Sequence, residues 1–230
     1  RLQNSHRIMQ LRTIRHLWGV EEAWETFFPK IKQLGYFGIE TPVHFLSDSD
    51  KIRLKNLCIK HDLKVVNQIH TDPYGPGVRN KTIQCHLDNL RKFATNAKEL
   101  LGDLLLFCNS HSGYEGWNMQ QKEEYFAQAI AVQKELGIVI AHETHRHRCL
   151  YNPWETRDLM LKFPELRITA DISHWFVVCE ESSMDGEMDI IELLGKHTHH
   201  LHGRVGYAEG PQVPDPRAPE YDDVVQAHER

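Results

Sequence analysis

The 230-residue sequence has no C-x-x-C pair, and its five cysteines (Cys58, Cys85, Cys108, Cys149 and Cys179) stand far apart. That spacing fits reduced, mostly buried thiols in an intracellular, cytoplasmic protein. No apolar run approaches the roughly 20 residues that span a bilayer, and no signal-peptide core stands near the start, so no membrane partner is expected. A basic block is missing too. Against 32 Asp+Glu there are 27 Lys+Arg, a net charge of −5, and a nucleic-acid partner lacks electrostatic support. Nothing like G-x-G-x-x-G follows the first apolar run, which argues against a dinucleotide-binding sheet.

What is abundant is histidine, 16 residues in all, many of them clustered. With 40% hydrophobic residues the chain can bury one sizeable core, and a single domain over 1–230 is expected. The sequence begins at Arg1 and stops in "YDDVVQAHER", which reads as the opening of a helix, so the expected domain is C-terminally incomplete.

Short apolar runs alternate with longer amphipathic stretches. The strands expected are "IMQLRTI", "YFGIE", "KVVNQIH", "DLLLFC", "IVIAHE", "LRITADI" and "THHLHGRV". Between them lie helices: "AWETFFPKIKQLG", kinked or divided at Pro29; "SDSDKIRLKNLCIKHDL", with Ser/Asp capping; one from about Lys81 to Leu101; "MQQKEEYFAQAIAVQKELG", ending on Gly137; "PWETRDLMLKFP", with proline at its first position; and "MDIIELLGKH". "TDPYGPGVRN" and "NSHSGYEGW" are expected loops. Strand–helix alternation without hairpin turns points to a parallel sheet. Glu40, His70, His111, Glu143, Asp171 and His202 all fall at strand C-terminal ends, the rim where a (β/α)8 barrel gathers its functional groups. The expected fold is therefore an α/β (β/α)8 TIM barrel lacking its last strand–helix unit in this chain.

Alone, Glu143 in "VIAHETHRHRC" is a charged residue leaving a strand, and Asp171 in "TADISHW" is the same. The run "HTHHLHGR", with His197, His199, His200 and His202, is by itself a polar strand end, although alternation puts His200 and His202 on one side. Together these residues end three consecutive strands, and on a barrel they converge. Two carboxylates and an imidazole suit one divalent ion, Mn, Mg, Co or Zn, and the lack of thiolates argues against a structural zinc. His142 and His145 flank Glu143 as secondary groups.

The succession "AHETH", "ADISHW" and "HLHGRVGY" resembles the xylose-isomerase-like TIM barrels, which include sugar isomerases and epimerases, inosose dehydratases and, more remotely, endonuclease IV. The resemblance implies metal ligands at Glu143, Asp171 and His202, with His200 as the alternative and a fourth glutamate after strand eight that these residues do not contain. It places His174 against substrate or metal-bound water. Two further family positions differ: Cys149 stands where a substrate-binding glutamate is common, and Ala208 where an arginine is common, with Arg204 able to stand in. On this basis a sugar, sugar-phosphate or hydroxy-keto substrate loses a proton to Glu143, forming a metal-stabilised enediolate. His70, His111, His174 and Arg204 are candidate substrate-binding residues. Trp117 and Trp175 are candidates for stacking on a sugar face, or for packing beneath their loops. The loop "GYAEGPQVPDPRAPE", stiffened by four prolines, is a lid or a subunit contact, which leaves room for a homo-oligomer. Two other classes remain: an endonuclease IV-like phosphodiesterase, disfavoured by the acidic charge, and a truncated barrel without catalytic activity.

Overall fold

The computed structural model describes residues 11–72 and 82–229. Seven strands form one parallel sheet: β1 (Ile14–His16), β2 (Gly38–Thr41), β3 (Lys64–His70), β4 (Leu105–His111), β5 (Ile140–Glu143), β6 (Arg167–Ala170) and β7 (Thr198–Leu201). Each pairs with the next in sequence. The helices are α1 (Trp24–Gln33), α2 (Asp48–Lys60), α3 (Ile83–Leu101), α4 (Met119–Leu136), α5 (Pro153–Lys162), α6 (Ser173–Cys179), α7 (Met188–His197) and α8 (Asp222–Glu229). The sheet curls into a TIM barrel without its last unit. The curl is visible in side chains, because His200 on β7 comes within 3.2 Å of Glu40 on β2. Among the described residues β7 does not pair with β1. No described helix is long and apolar enough to cross a membrane.

Alternation along each strand sorts the chemistry. Ile39, Val65, Ile69, Cys108, Ile140 and Ile168 face the helices and are fully buried. They meet Phe28, Ile31 and Leu54 on one side of the curl, and Leu90, Phe126, Leu159 and Leu194 on the other. Each such side chain contributes about 1.5–3 kcal/mol by leaving water. The opposite strand faces carry Glu40, Gln68, Asn109, Glu143 and His200 toward the barrel axis.

The helix starts follow local chemistry. Ser47 Oγ accepts the Asp50 N–H at 3.1 Å, Asn152 Oδ1 accepts that of Glu155 at 2.9 Å before Pro153, and Gly137 closes α4 at φ 63°. A reciprocal cap at the start of α4 pairs Asn118 with Gln121.

Several boundaries differ from expectation. The first strand lies at Ile14–His16 and shares only Ile14 with the expected "IMQLRTI", of which residues 8–10 fall outside the described residues. Pairing with Gly38–Glu40 sets its place, and that partner is invisible to local pattern. Pro29 sits inside a single helix rather than dividing it. β4 runs on to His111, so Asn109 and Ser110 are strand residues and not loop. β7 stops at Leu201, and α6 is a helix the periodicity did not indicate. Most of "TDPYGPGVRN", together with Lys81, lies outside the described residues.

Candidate metal and substrate site

Three carboxylates and six imidazoles converge at the C-terminal end of the curl. Glu143 ends β5 and Asp171 follows β6, and both are buried. The two strand ends are tied together by Thr144, whose Oγ1 donates to the Asp171 carbonyl at 2.9 Å and accepts the Asp171 N–H at 2.8 Å. Ser173 Oγ donates to Asp171 Oδ1, and Gln212 Nε2 donates to Ser173 Oγ at 3.3 Å. His202 stands just past β7. Its Nδ1 lies 3.7 Å from Glu143 Oε1 and 3.6 Å from Asp171 Oδ2. Its Nε2 lies 3.0 Å from Glu40 Oε2, and that of His200 lies 3.2 Å from the same oxygen. His200 and His202 thus share a side, as alternation requires.

Asn109, in mid-β4, connects the carboxylates. Its Nδ2 donates to Glu40 Oε1 at 2.8 Å and to Glu143 Oε2 at 2.6 Å. His111 Nε2 sits 2.8 Å from Glu143 Oε2. His70 packs on His111, centroids 4.5 Å apart, and His145 lies between His111 (4.4 Å) and His174 (3.9 Å). His142 points the other way. Its Nδ1 meets Ser112 Oγ at 2.6 Å and its ring packs on Phe126, so it belongs to the core.

Burial alone would push the Glu143 carboxyl up, but the imidazoles of His111 and His202 hold it well below the usual range. Glu40 is held down likewise by His202 and His200. Burial disfavours charge on His202, yet Glu143 and Glu40 outweigh it and raise the imidazolium well above its ordinary value. His145 and His174 are lowered to about 3, chiefly by burial and then by a neighbouring imidazole.

These residues fit a divalent ion. Among the described residues, three sets of three offer ligand atoms all within 4.8 Å of one another: Glu143–Asp171–His174, His111–Glu143–His145 and Glu40–His200–His202. His111 Nδ1 and His174 Nδ1 are buried without a hydrogen-bond partner. His202 stands among Glu40, Glu143 and Asp171, three carboxylates whose charge a cation would balance.

The site opens into a cavity of about 1360 Å³ whose lining includes His70, His111, His145, His174 and Arg204. Arg204 lies over Trp18, 5.4 Å from its ring centroid, whereas Arg12 and Arg15, which also line the cavity, lie over Phe37 and Phe27. Trp117 and Trp175 do not face the cavity. Both are core residues, and Trp175 Nε1 donates to the Leu150 carbonyl at 3.2 Å. Cys149 is buried too, its thiol 3.7 Å from the Tyr114 carbonyl. The proline-rich loop after β7 folds back on the rim through Gln212 and through Arg146 Nη1, which donates to the Pro211 carbonyl at 2.9 Å.

The family described as xylose isomerase-like TIM barrel matches residues 28–211, and the chain belongs to it. No protein of curated function matches it in sequence. Among solved structures, a probable 3-DHS dehydratase involved in petrobactin synthesis, from Bacillus anthracis, shares 14% identity, with 94% of this chain and 88% of that chain covered and a TM-score of 0.61. D-psicose 3-epimerase, solved in the presence of D-fructose, shares 15% over 89% and 78% of the two chains, TM-score 0.57. A sugar phosphate isomerase/epimerase from Parabacteroides distasonis shares 14% over 97% and 85%, TM-score 0.56. These similarities establish the fold.

Asn109 and Gln68, whose Nε2 lies 3.0 Å from His111 Nε2, do not stand out as site partners in the sequence, and Glu40 stands out there only as a rim residue without a role. The usable signal was alternation through Phe107, Asn109 and His111, which carries β4 beyond "DLLLFC".

Proposed function

We propose that the protein is a divalent-metal-dependent isomerase or epimerase acting on a sugar, a sugar phosphate or a hydroxy-keto acid. The observation that carries this reading is the meeting of Glu143, Asp171 and His202, at the ends of three successive strands, within 3.7 Å of the His202 ring nitrogen. Family membership and the sugar epimerases among the structural neighbours support it. These three residues would hold a cation of the Mn2+, Mg2+, Co2+ or Zn2+ type, which would supply Lewis-acid polarisation at a substrate carbonyl.

The chain's own groups do the rest. Asn109 and His111 both engage Glu143 Oε2, which leaves Oε1 to take the proton from the carbon next to the carbonyl. Returning that proton to the adjacent carbon on the same face, with the neighbouring hydroxyl proton passing to the former carbonyl oxygen, is isomerisation and needs this one carbon base. Epimerisation needs a second group on the opposite face. His70, His111 and His174 line the wall where substrate hydroxyls would bind. Arg204, just past β7 and lining the cavity, suits a phosphate or carboxylate tail.

The test is deuterium incorporation from D2O, followed by proton NMR, with metal-loaded protein and a panel of ketohexoses, pentuloses and hydroxy-keto acids. Exchange next to the carbonyl is expected, slowed by about 10²–10⁴-fold in Glu143→Gln. No exchange with any substrate, or undiminished exchange in that variant, refutes the reading.

A further inference from the structure

We propose that Glu40, His200 and Nε2 of His202 form a second divalent-cation site, one layer deeper in the barrel than Glu143 and Asp171. Glu40 is a buried carboxylate whose Oε1 is taken by Asn109, while Oε2 faces both imidazoles at 3.2 and 3.0 Å. Ligand atoms bound to one tetrahedral Zn2+ at about 2.0–2.1 Å stand about 3.3–3.5 Å apart. The observed separations need to open by only a few tenths of an ångström. The two rings lie nearly perpendicular, at 83° and 5.1 Å between centroids, so their nitrogens approach Oε2 from different directions. Phe107, 5.2 Å from His200, gives the site an apolar side.

His16 is close to Glu40 but is not a ligand. Its Nδ1 accepts the Trp18 N–H at 2.7 Å, which puts the ring proton on Nε2, facing Gln68 Oε1 at 3.4 Å. The donor set is therefore two imidazoles and one carboxylate, softer than the two carboxylates and one imidazole above it. It favours Zn2+ or Co2+ where the upper set accepts Mg2+ or Mn2+. His202 stands between the layers, with Nε2 turned to Glu40 and Nδ1 to Glu143 and Asp171.

This site stands on its own three residues and does not depend on the sugar chemistry. The same spacing serves an N–H···O bond, so the experiment must separate a cation from a proton. Metal-stripped full-length chain is titrated with Zn2+ by calorimetry and with Co2+ by visible absorption, with circular dichroism confirming the fold of each variant. Wild type is expected to bind two equivalents. Glu40→Gln, which is isosteric, and His200→Ala, at a half-buried strand position, are each expected to bind one. Glu143→Ala is expected to retain the lower equivalent. Equal stoichiometry in wild type and in both lower-site variants overturns the proposal, and so does a single wild-type equivalent that is lost in Glu143→Ala but kept in Glu40→Gln. If Glu143→Ala keeps both equivalents while Glu40→Gln loses one, the lower site stands and the catalytic metal assignment falls.

Discussion

Lowering the pH of the metal-free protein from 7 to 5.5 should remove a large part of its folding stability. His70, His142, His145 and His174 are each held neutral in the folded state, chiefly by burial, with values lowered from 6.5 to about 2, 3, 3 and 3. For His70 and His145 the His111 ring adds to the effect, and for His174 the His145 ring does. A base whose folded value lies below its unfolded one takes up a proton on unfolding. Its stabilising contribution is present above pH 6.5 and is lost as pH falls. Integrated from pH 7 to 5.5, the four rings together cost about 5 kcal/mol. His202 acts in the opposite sense. Its raised value means that its contribution is present below 6.5 and is lost as pH rises through the folded value, which returns about 1 kcal/mol over this window. A net loss of about 4 kcal/mol compares with total stabilities of about 5–15 kcal/mol for ordinary domains. Urea unfolding of chelator-treated protein at several pH values measures it directly. A change below about 1 kcal/mol across that window would show that these rings protonate inside the folded protein, and the burial argument would be wrong.

Two further outcomes are expected. Asn109→Asp replaces the donor that joins Glu40 and Glu143 with a third carboxylate. Losing two hydrogen bonds to charged acceptors should destabilise the metal-free protein by about 3–6 kcal/mol in urea unfolding, and a cost below about 1 kcal/mol would dismiss the amide bridge as incidental. Burial pushes the thiols of Cys58, Cys108 and Cys149 up to about 12, and burial with Glu187 and Glu181 pushes that of Cys179 up to about 11, so iodoacetamide at pH 8 should label the half-buried Cys85 first in native protein, Cys179 far more slowly, and all five cysteines in urea. Peptide mass spectrometry reads the pattern, and native labelling at Cys149 would contradict it.

Much of the architecture can be read from local pattern, because apolar runs that end in a carboxylate or imidazole mark the C-terminal ends of β3, β5, β6 and β7. Helix capping is equally local, and Ser47, Pro153 and Gly137 stand where their chemistry places them. What escaped was decided by partners far along the chain. β1 is placed by Gly38–Glu40, where Gly38 accepts close approach: a Cβ there would lie 2.5 Å from the Lys64 carbonyl oxygen. Asn109 looks like the first residue of a polar loop until the barrel interior is known to be polar at that height. Trp175 looks like a rim residue until α6 turns it beneath the loop that follows β5. The joining of Glu40 to His200 and His202 spans about 160 positions in sequence, and no periodicity reports on it.

The irregular pairing of β6 with β7 has a consequence for insertions and deletions. Ile168 pairs with Thr198 and Thr169 with His200, so His199 is one residue more than the ladder needs. Removing His199 would leave a regular ladder with His200 and His202 still facing Glu40. Removing Leu201 instead would change the parity between the two rings and turn one away from the barrel axis. Within this histidine-rich run, tolerance to shortening depends less on which residue is lost than on which side of the bulge the loss falls.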